Sequence, residues 1–368
     1  MDLKSLLLSS DDRTVRILRR VLSDLEIGVE HCADSEEAVR RLTRQRFEAI
    51  IVDCSDTEES GNVLRASKAA PVNKRALSIV LVENNVGLKG GFEMGAHFVL
   101  HKPLAVERAK ASFRAVRALM KSERRLQMRV PVQVPVVCLG SGKYHARTLD
   151  LCEGGMAIRF VGRSVAKENN LRFTLELPGM AEKLEIWGEL AWEGDDDRAG
   201  VRFKGITEEQ RNALRDWLNT QLPEREPDDP PVVCQLKDIS LGGCYLTTTT
   251  PFPKSTRVIL SVKDVRAGGV VRLAHPEYGM GVEFVQATPG QQAQVGRIIE
   301  TLRSLGESPE IHVEPDGLEG ASTDQASVSH PPTRAGDSLV DLFRQQSQVS
   351  VEVFLKQMQQ QRHLQQSS

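Results

Sequence analysis

The segment Asp150-Leu151-Cys152-Glu153-Gly154-Gly155-Met156-Ala157-Ile158 returns later in the chain as Asp238-Ile239-Ser240-Leu241-Gly242-Gly243-Cys244-Tyr245-Leu246. An acid, a glycine pair and an apolar run recurring in the same order commit the chain to two copies of one supersecondary unit. The echo continues downstream. Ala199-Gly200-Val201-Arg202-Phe203 is matched by Met280-Gly281-Val282-Glu283-Phe284, and Thr207 and Thr288 each precede a helical pattern. Within the first copy, Leu171, Phe173, Leu175 and Leu177 alternate with polar residues, the period of half-buried antiparallel strands. Turn signals at Gly140-Ser141-Gly142-Lys143 and Gly194-Asp195-Asp196-Asp197 separate such strands, and Thr207 with Gln210 forms a capping box that opens a closing helix. The spacing predicts two small antiparallel β-barrels, each with a closing helix, over 121–222 and 229–304.

Residues 1–120 obey a different grammar. Leu6-Leu7-Leu8, Ala49-Ile50-Ile51-Val52, Ser78-Ile79-Val80-Leu81-Val82 and His97-Phe98-Val99-Leu100 are continuous apolar runs separated by helical patterns. Such strands are buried on both faces, which predicts an α/β domain with a doubly wound parallel sheet. Functional groups in these sheets lie at the carboxyl ends of strands, where Asp53 and Lys102 fall. The last helix of the domain carries an apolar seam, Val106, Ala109, Phe113, Val116 and Met120, suited to an intradomain core or to a dimer interface. Basic residues beside the seam lead into Glu123-Arg124-Arg125-Leu126-Gln127-Met128-Arg129, so helix and arginines are physically continuous. Self-repulsion of that charge predicts a mobile linker that an anion would order.

Formal net charge is −2 over 368 residues, so no global field draws the chain to nucleic acid or to anionic membrane. No apolar stretch reaches the roughly 20 residues that cross a bilayer, and Met1–Ser5 lacks the shape of a signal peptide. The six cysteines are scattered without CxxC spacing, the pattern of buried thiols in a reducing compartment. A cytoplasmic protein is expected. No nucleophile–base pair and no metal-ligand cluster stands out, so neither an enzyme nor a resident metal is expected.

Two arginines four apart offer planar, permanently charged forks for phosphate or a guanine edge. Arg125 and Arg129, followed by Asp150, Gly154 and Gly155, resemble the RxxxR and D/NxSxxG signature of the PilZ family, receptors for cyclic di-GMP. Cys152 stands where that family carries serine. The resemblance implies that Arg125 and Arg129 hold the phosphates and stack on guanine. It further implies Arg124 as an auxiliary, Asp150 as acceptor from the base edge, Cys152 facing the ligand, and Gly154 and Gly155 allowing close approach. The second copy keeps Ser240, yet its leading segment, Glu224 to Pro231, has one arginine among four acids, and it resembles a PilZ domain without the phosphate grip. Packing, dimerisation or partner contact is its expected task.

Residues 1–120 resemble the receiver domain of response regulators. Asp53 takes the phosphoacceptor position, Gly61 fits the loop after it, and Lys102-Pro103 fits the pair after the fifth strand. The family's acidic pair is replaced by Ser9-Ser10 with Asp11 adjacent, and Val82 replaces the switch hydroxyl, so Mg²⁺ enters only if this domain is active.

Residues 306–336 are rich in Ser, Pro, Glu and Gly and are expected to be disordered. Residues 337–365 read as an amphipathic helix that docks on a partner or oligomerises. The leading expectation is a signalling protein that binds cyclic di-GMP and acts on a protein partner, with a homodimer allowed. Two alternatives stay open: an interaction adaptor without ligand, and a phosphorylation-regulated response regulator.

Overall fold

The computed structural model describes residues 3–55, 57–83, 87–162, 171–180, 182–221, 229–286, 289–305, 309–319, 337–345 and 351–366. They form two compact units. One joins residues 1–123 to 228–368, and the other spans Arg124–Pro227.

The first unit opens with β1 (Leu3–Leu8), α1 (Asp12–Asp24), β2 (Ile27–Cys32), α2 (Ser35–Arg44), β3 (Ala49–Asp53), α3 (Thr57–Ala69), β4 (Leu77–Val82), α4 (Gly87–Glu93), β5 (Phe98–His101) and α5 (Val106–Gln127). All strand pairs are parallel in the order β2-β1-β3-β4-β5, the doubly wound arrangement expected from the apolar runs. β3 and β4 are buried along their whole length. Helix starts are set by local carboxylates: Asp11 accepts from the Arg13 amide and Asp34 from the Glu36 and Glu37 amides. Gly61 lies inside α3 and not in a loop.

The second unit is a closed barrel of β6 (Pro135–Leu139), β7 (Lys143–Cys152), β8 (Gly155–Phe160), β9 (Leu171–Leu175), β10 (Leu184–Glu193) and β11 (Arg198–Gly205). Helix α6 (Glu208–Thr220) comes next, opened by the Thr207/Gln210 capping box. The first unit contains the second barrel: β12 (Val232–Ile239), β13 (Gly243–Thr247), β14 (Thr256–Val262), β15 (Val265–His275), β16 (Gly279–Phe284), α7 (Pro289–Ser304) and β17 (Glu310–Leu318), with α8 (Ser338–Gln345) and α9 (Val351–Gln366) beyond it.

The repeat extends to its irregularities. A bulge falls between Thr148 and Asp150 in β7, and between Leu236 and Asp238 in β12. Gly155 pairs with Arg202 and Gly243 with Glu283. A Cβ on Gly155 would stand 2.3 Å from the Val201 carbonyl oxygen, and one on Gly243 2.4 Å from that of Val282. Barrel closure therefore requires both glycines.

Closure also overturns one expectation. In the first barrel, β6 sits between β7 and β9. In the second, the same place between β12 and β14 is filled by β17, which arrives after the closing helix. Residues 310–318 are thus an ordered strand, with Ile311 and Val313 fully buried, although composition predicts disorder there. Pro315 and Gly317 mask the strand in the sequence, and only Ile311, Val313 and Leu318 supply an apolar face. Residues 306–308 and 320–336 of that linker lie outside the described residues.

The α5 seam is buried within the first unit. Ala109, Phe113, Val116 and Met120 join a buried cluster that also includes Val258, Leu260, Val271 and Ile298 of the second barrel region. Asp229 accepts from Lys121 at 2.9 Å and pairs with Arg117, and the buried Glu123 grips Arg75 at 2.7 Å and takes the Leu318 amide. Asp229, the acid of the second copy's leading segment that lies among the described residues, thus pairs with two basic residues of α5.

All three tryptophans, Trp187, Trp192 and Trp217, lie in the second unit, so fluorescence reports on that unit alone while circular dichroism reports on both units. Ile311→Ala is expected to lower the stability of the first unit by about 2–5 kcal/mol. Denaturant unfolding should show this shift in dichroism with the tryptophan transition unmoved; no shift would return 310–318 to a disordered tail.

His97 and His275 give the same unit a pH dependence. Burial lowers each imidazole to about 4, with the positive charge of Lys68 adding to the effect at His97. His97 Nδ1 accepts the Ser78 amide at 2.9 Å, and His275 Nδ1 meets the Tyr245 hydroxyl at 3.1 Å. The fold favours neutral rings, so their contribution is complete above the unfolded value of 6.5 and declines as pH falls toward 4. Acid titration should weaken the dichroism-monitored unit by a few kcal/mol, and His97→Gln with His275→Gln should flatten the slope.

Candidate functional sites

The carboxyl end of the parallel sheet gathers Ser9, Asp11, Asp53 and Lys102. Asp53 ends β3 and is buried; Lys102 Nζ lies 3.0 and 3.1 Å from its two carboxylate oxygens. Ser9 donates to Asp53 Oδ2 at 2.7 Å and also accepts the Asp11 amide. Asp11 lies 3.6 Å from Lys102 and accepts the Thr14 hydroxyl at 2.6 Å. That hydrogen bond, the Arg13 amide and the Lys102 charge hold Asp11 below the usual carboxylate range despite desolvation. Burial disfavours the Lys102 charge, but the hydrogen bond and charge of Asp53, with Asp11, outweigh it and raise its pKa. Beside this cluster opens a cavity of about 540 Å³ lined in part by Asp11, Arg13, Glu83 and Lys102.

The donor set does not fit Mg²⁺. A hard cation of this kind needs carboxylates and other oxygens in an octahedron. Here the groups around Asp53 are a serine hydroxyl that donates to it and an ammonium that pairs with both Asp53 and Asp11. Among the described residues, no group of three or more His, Cys, Asp or Glu could hold a metal ion.

The second cluster surrounds the β7–β8 turn of the first barrel. Arg129 pairs with Asp150, whose Oδ1 also accepts the Ala157 amide at 3.2 Å. The Arg129 side chain is 44 % exposed, so the pair stands at the surface. Four residues earlier, on the last turn of α5, the Arg125 side chain is only 12 % exposed and lies 3.0 Å from Glu153. Glu153 is buried and also holds Arg215 of α6 at 3.3 Å. The structure pairs Arg129 with Asp150, and places Arg125 in an internal ion pair. Residues 121–127 are helical, and both arginines of the motif are paired with acids, so the expected self-repulsion is relieved. Arg124 lies half-buried on the same helical turn.

Cys152 and Gly155 have architectural tasks at this turn. Cys152 is buried and its thiol donates to the Gly155 carbonyl at 3.2 Å, where Ser240 donates to Gly243 at 3.3 Å in the second barrel. Burial raises the thiol pKa against the amides of Gly154 and Gly155 and the charge of Arg129, so the side chain is a neutral turn element. Gly154 is exposed, and a Cβ there would meet the Leu126 carbonyl at 3.3 Å.

Three residues of these sites carry little signal in the sequence. Ser9 reads only as a missing acid, Arg215 belongs to a distant helix, and Glu153 sits unremarked inside the motif. An acid flanked by a glycine pair, in a barrel entered by arginines, is the available signal for Glu153. Trp192 is a fourth feature of this face. It lies over Gly200, the ladder partner of Ala157, and is 47 % exposed.

The PilZ domain profile matches residues 123–220 and 222–301. Both barrels are PilZ domains. The second match stops short of β17, the strand that arrives from the far side of α7 to close the second PilZ domain. Among solved structures, the chain is similar to the receiver domain of a sensor histidine kinase from Pseudomonas aeruginosa PAO1 (22 % identity, 33 % of this chain and 98 % of that one, TM-score 0.28). It is also similar to a putative response regulator from Chloroflexus aurantiacus J-10-fl (21 %, 32 % and 99 %, TM-score 0.29). A third similarity is to the PilZ domain of CeSA from a cellulose-synthesizing bacterium (20 %, 25 % and 97 %, TM-score 0.22). No curated protein matches the chain. Two PilZ domains make this a signalling protein. No helix among the described residues is long and apolar enough to cross a membrane.

The Glu153 pairs of the first PilZ domain make a stability prediction. Removing one partner of a buried ion pair strands the others, so Glu153→Ala should cost that barrel about 3–5 kcal/mol. Tryptophan-monitored unfolding measures it, and an unchanged transition would show that the arginines are held by other groups.

Proposed function

We propose that the first PilZ domain is a cyclic di-GMP receptor and that the remainder of the chain conveys its state to a protein partner in the cytoplasm, without catalysis. The observation that carries this reading is the exposed pairing of Arg129 with Asp150 on the β7–β8 turn. A guanidinium held by a surface carboxylate is aimed before ligand arrives and exchanges one anion for another at modest cost. In this reading Arg129 takes a phosphate, Asp150 accepts from the guanine edge, and Arg124 assists. Arg125 joins only by leaving Glu153, which couples binding to the end of α5. Gly154 admits close approach, while Cys152 and Gly155 hold the turn. The receiver-like domain serves as a scaffold, since Lys102 stands among the carboxylates where a cation would be needed.

A second reading, an adaptor that binds no nucleotide, is favoured by the burial of Arg125 against Glu153. Isothermal titration with cyclic di-GMP separates the two. Arg129→Ala should weaken binding about tenfold to a hundredfold, the worth of one charge-assisted contact. Glu153→Gln, which frees Arg125, should tighten it if the barrel remains folded by tryptophan fluorescence. Failure of the wild-type chain to bind would sink the receptor reading and leave the adaptor.

A further inference from the structure

The second PilZ domain carries the same turn as the first, with Ser240 at the serine position, and its turn is occupied. Asp337, the residue before α8, places Oδ2 2.8 Å from the Gly242 amide and Oδ1 2.9 Å from the Ser240 hydroxyl. The same carboxylate caps α8 by accepting the Val340 amide at 3.2 Å. A turn that presents an amide and a hydroxyl outward is an anion-binding concavity. Here the anion is supplied by the chain itself.

The surface beyond the turn is shaped for the helix that Asp337 begins. Tyr245 of β13 and Leu273 of β15 face away from the barrel interior, and with Leu342, Phe343 and Phe354 they form an apolar cluster separate from the interior core. Phe343 and Phe354 are almost fully buried in it. Two glycines make the room. A Cβ on Gly242 would stand 2.8 Å from Asp337 Oδ2, and one on Gly281 would stand 2.7 Å from the Phe343 ring. Arg344 then pairs with the buried Glu283, which Arg272 also holds at 2.6 Å. Anion turn, apolar groove and terminal acid thus read a helix in order: an acidic cap, then an aromatic, and a basic residue after it.

We propose that the second PilZ domain is a peptide receptor for an acid-capped amphipathic helix, and that residues 337–345, with 351–358 packed beside them, are its resident ligand, held in cis. The chain leaves the described barrel at Glu319 and returns at Asp337, so the ligand is tethered to its own site. Tethering raises its effective concentration to the millimolar range, and a partner's helix of the same chemistry enters only by displacing it. This inference does not depend on nucleotide binding by the first domain.

The test uses the full chain with a specific-protease site inserted between Glu319 and Asp337. After cleavage and washing, a fluorescent peptide of residues 337–366 should bind the remaining body, and a peptide carrying Asp337→Ala should bind at least tenfold more weakly. The uncleaved chain should bind the wild-type peptide on the order of a hundredfold more weakly, because the tethered copy competes. Equal binding of the two peptides would remove the anion turn from the proposal. Loss of the body's cooperative dichroism transition once the fragment is gone would make the helices an integral part of the fold and overturn the receptor assignment, as would failure of the peptide to rebind a folded body.

Discussion

Each barrel depends on the strand that closes its ring. Five strands of the repeat are laid down in the same order in both copies, and the gap between the first and third of them must be filled, because a barrel without its last strand exposes two unpaired edges. The first copy fills the gap with β6, which comes soon after the arginines of α5. The second fills it with β17, drawn from beyond α7. This choice of supplier accompanies the absence of an RxxxR pair from the second copy. Where the closing strand arrives from the amino-terminal side, the segment before it runs past the glycine turn, and Arg129 meets Asp150. Where it arrives from the carboxyl-terminal side, no such segment is needed, and Asp229 pairs with α5 instead. The chain beyond β17 is then its tail, and Asp337 of that tail reaches the turn.

The two turns use one frame for opposite ends. Cys152 and Ser240 each close the turn onto a glycine carbonyl, and Phe203 and Phe284 each donate an amide to the middle glycine, Gly154 or Gly242. The intervening residue separates them. Glu153 is buried and gathers Arg125 and Arg215, whereas its counterpart Leu241 is 53 % exposed. A carboxylate at that position draws basic groups to its turn, and a leucine leaves the amide and hydroxyl of its turn to a carboxylate from elsewhere. The first turn therefore presents guanidinium, and the second accepts an acid.

Much of this is legible in the sequence, for physical reasons that differ by element. The parallel sheet announces itself because β3, β4 and the Leu6–Leu8 end of β1 are buried on both faces and read as apolar runs. The repeat announces itself because barrel closure requires Gly155 and Gly243, where a side chain would strike a neighbouring strand's carbonyl. β17 does not, since Glu, Pro, Asp and Gly between its few apolar residues are the composition of a loop, and only its two neighbours make it a strand. Single residues whose role is to hold another side chain, such as Ser9 and Glu153, carry no periodic signal at all.

Three successive residues at the end of α5 show how the halves of the chain are linked. Glu123 belongs to the first unit, where its buried carboxylate fixes Arg75 and the Leu318 amide. Arg124 opens the second unit, and Arg125 is fixed there by Glu153. A buried carboxylate thus secures the helix on each side of the boundary, and each costs several kcal/mol to strand. The two side chains lie two residues apart on the helix and find their acids or bases in different units. An anion that drew Arg125 away from Glu153 would act on the last helical turn while Glu123 held the turn before it. The helix end, rather than a flexible linker, is where such a change would be felt first.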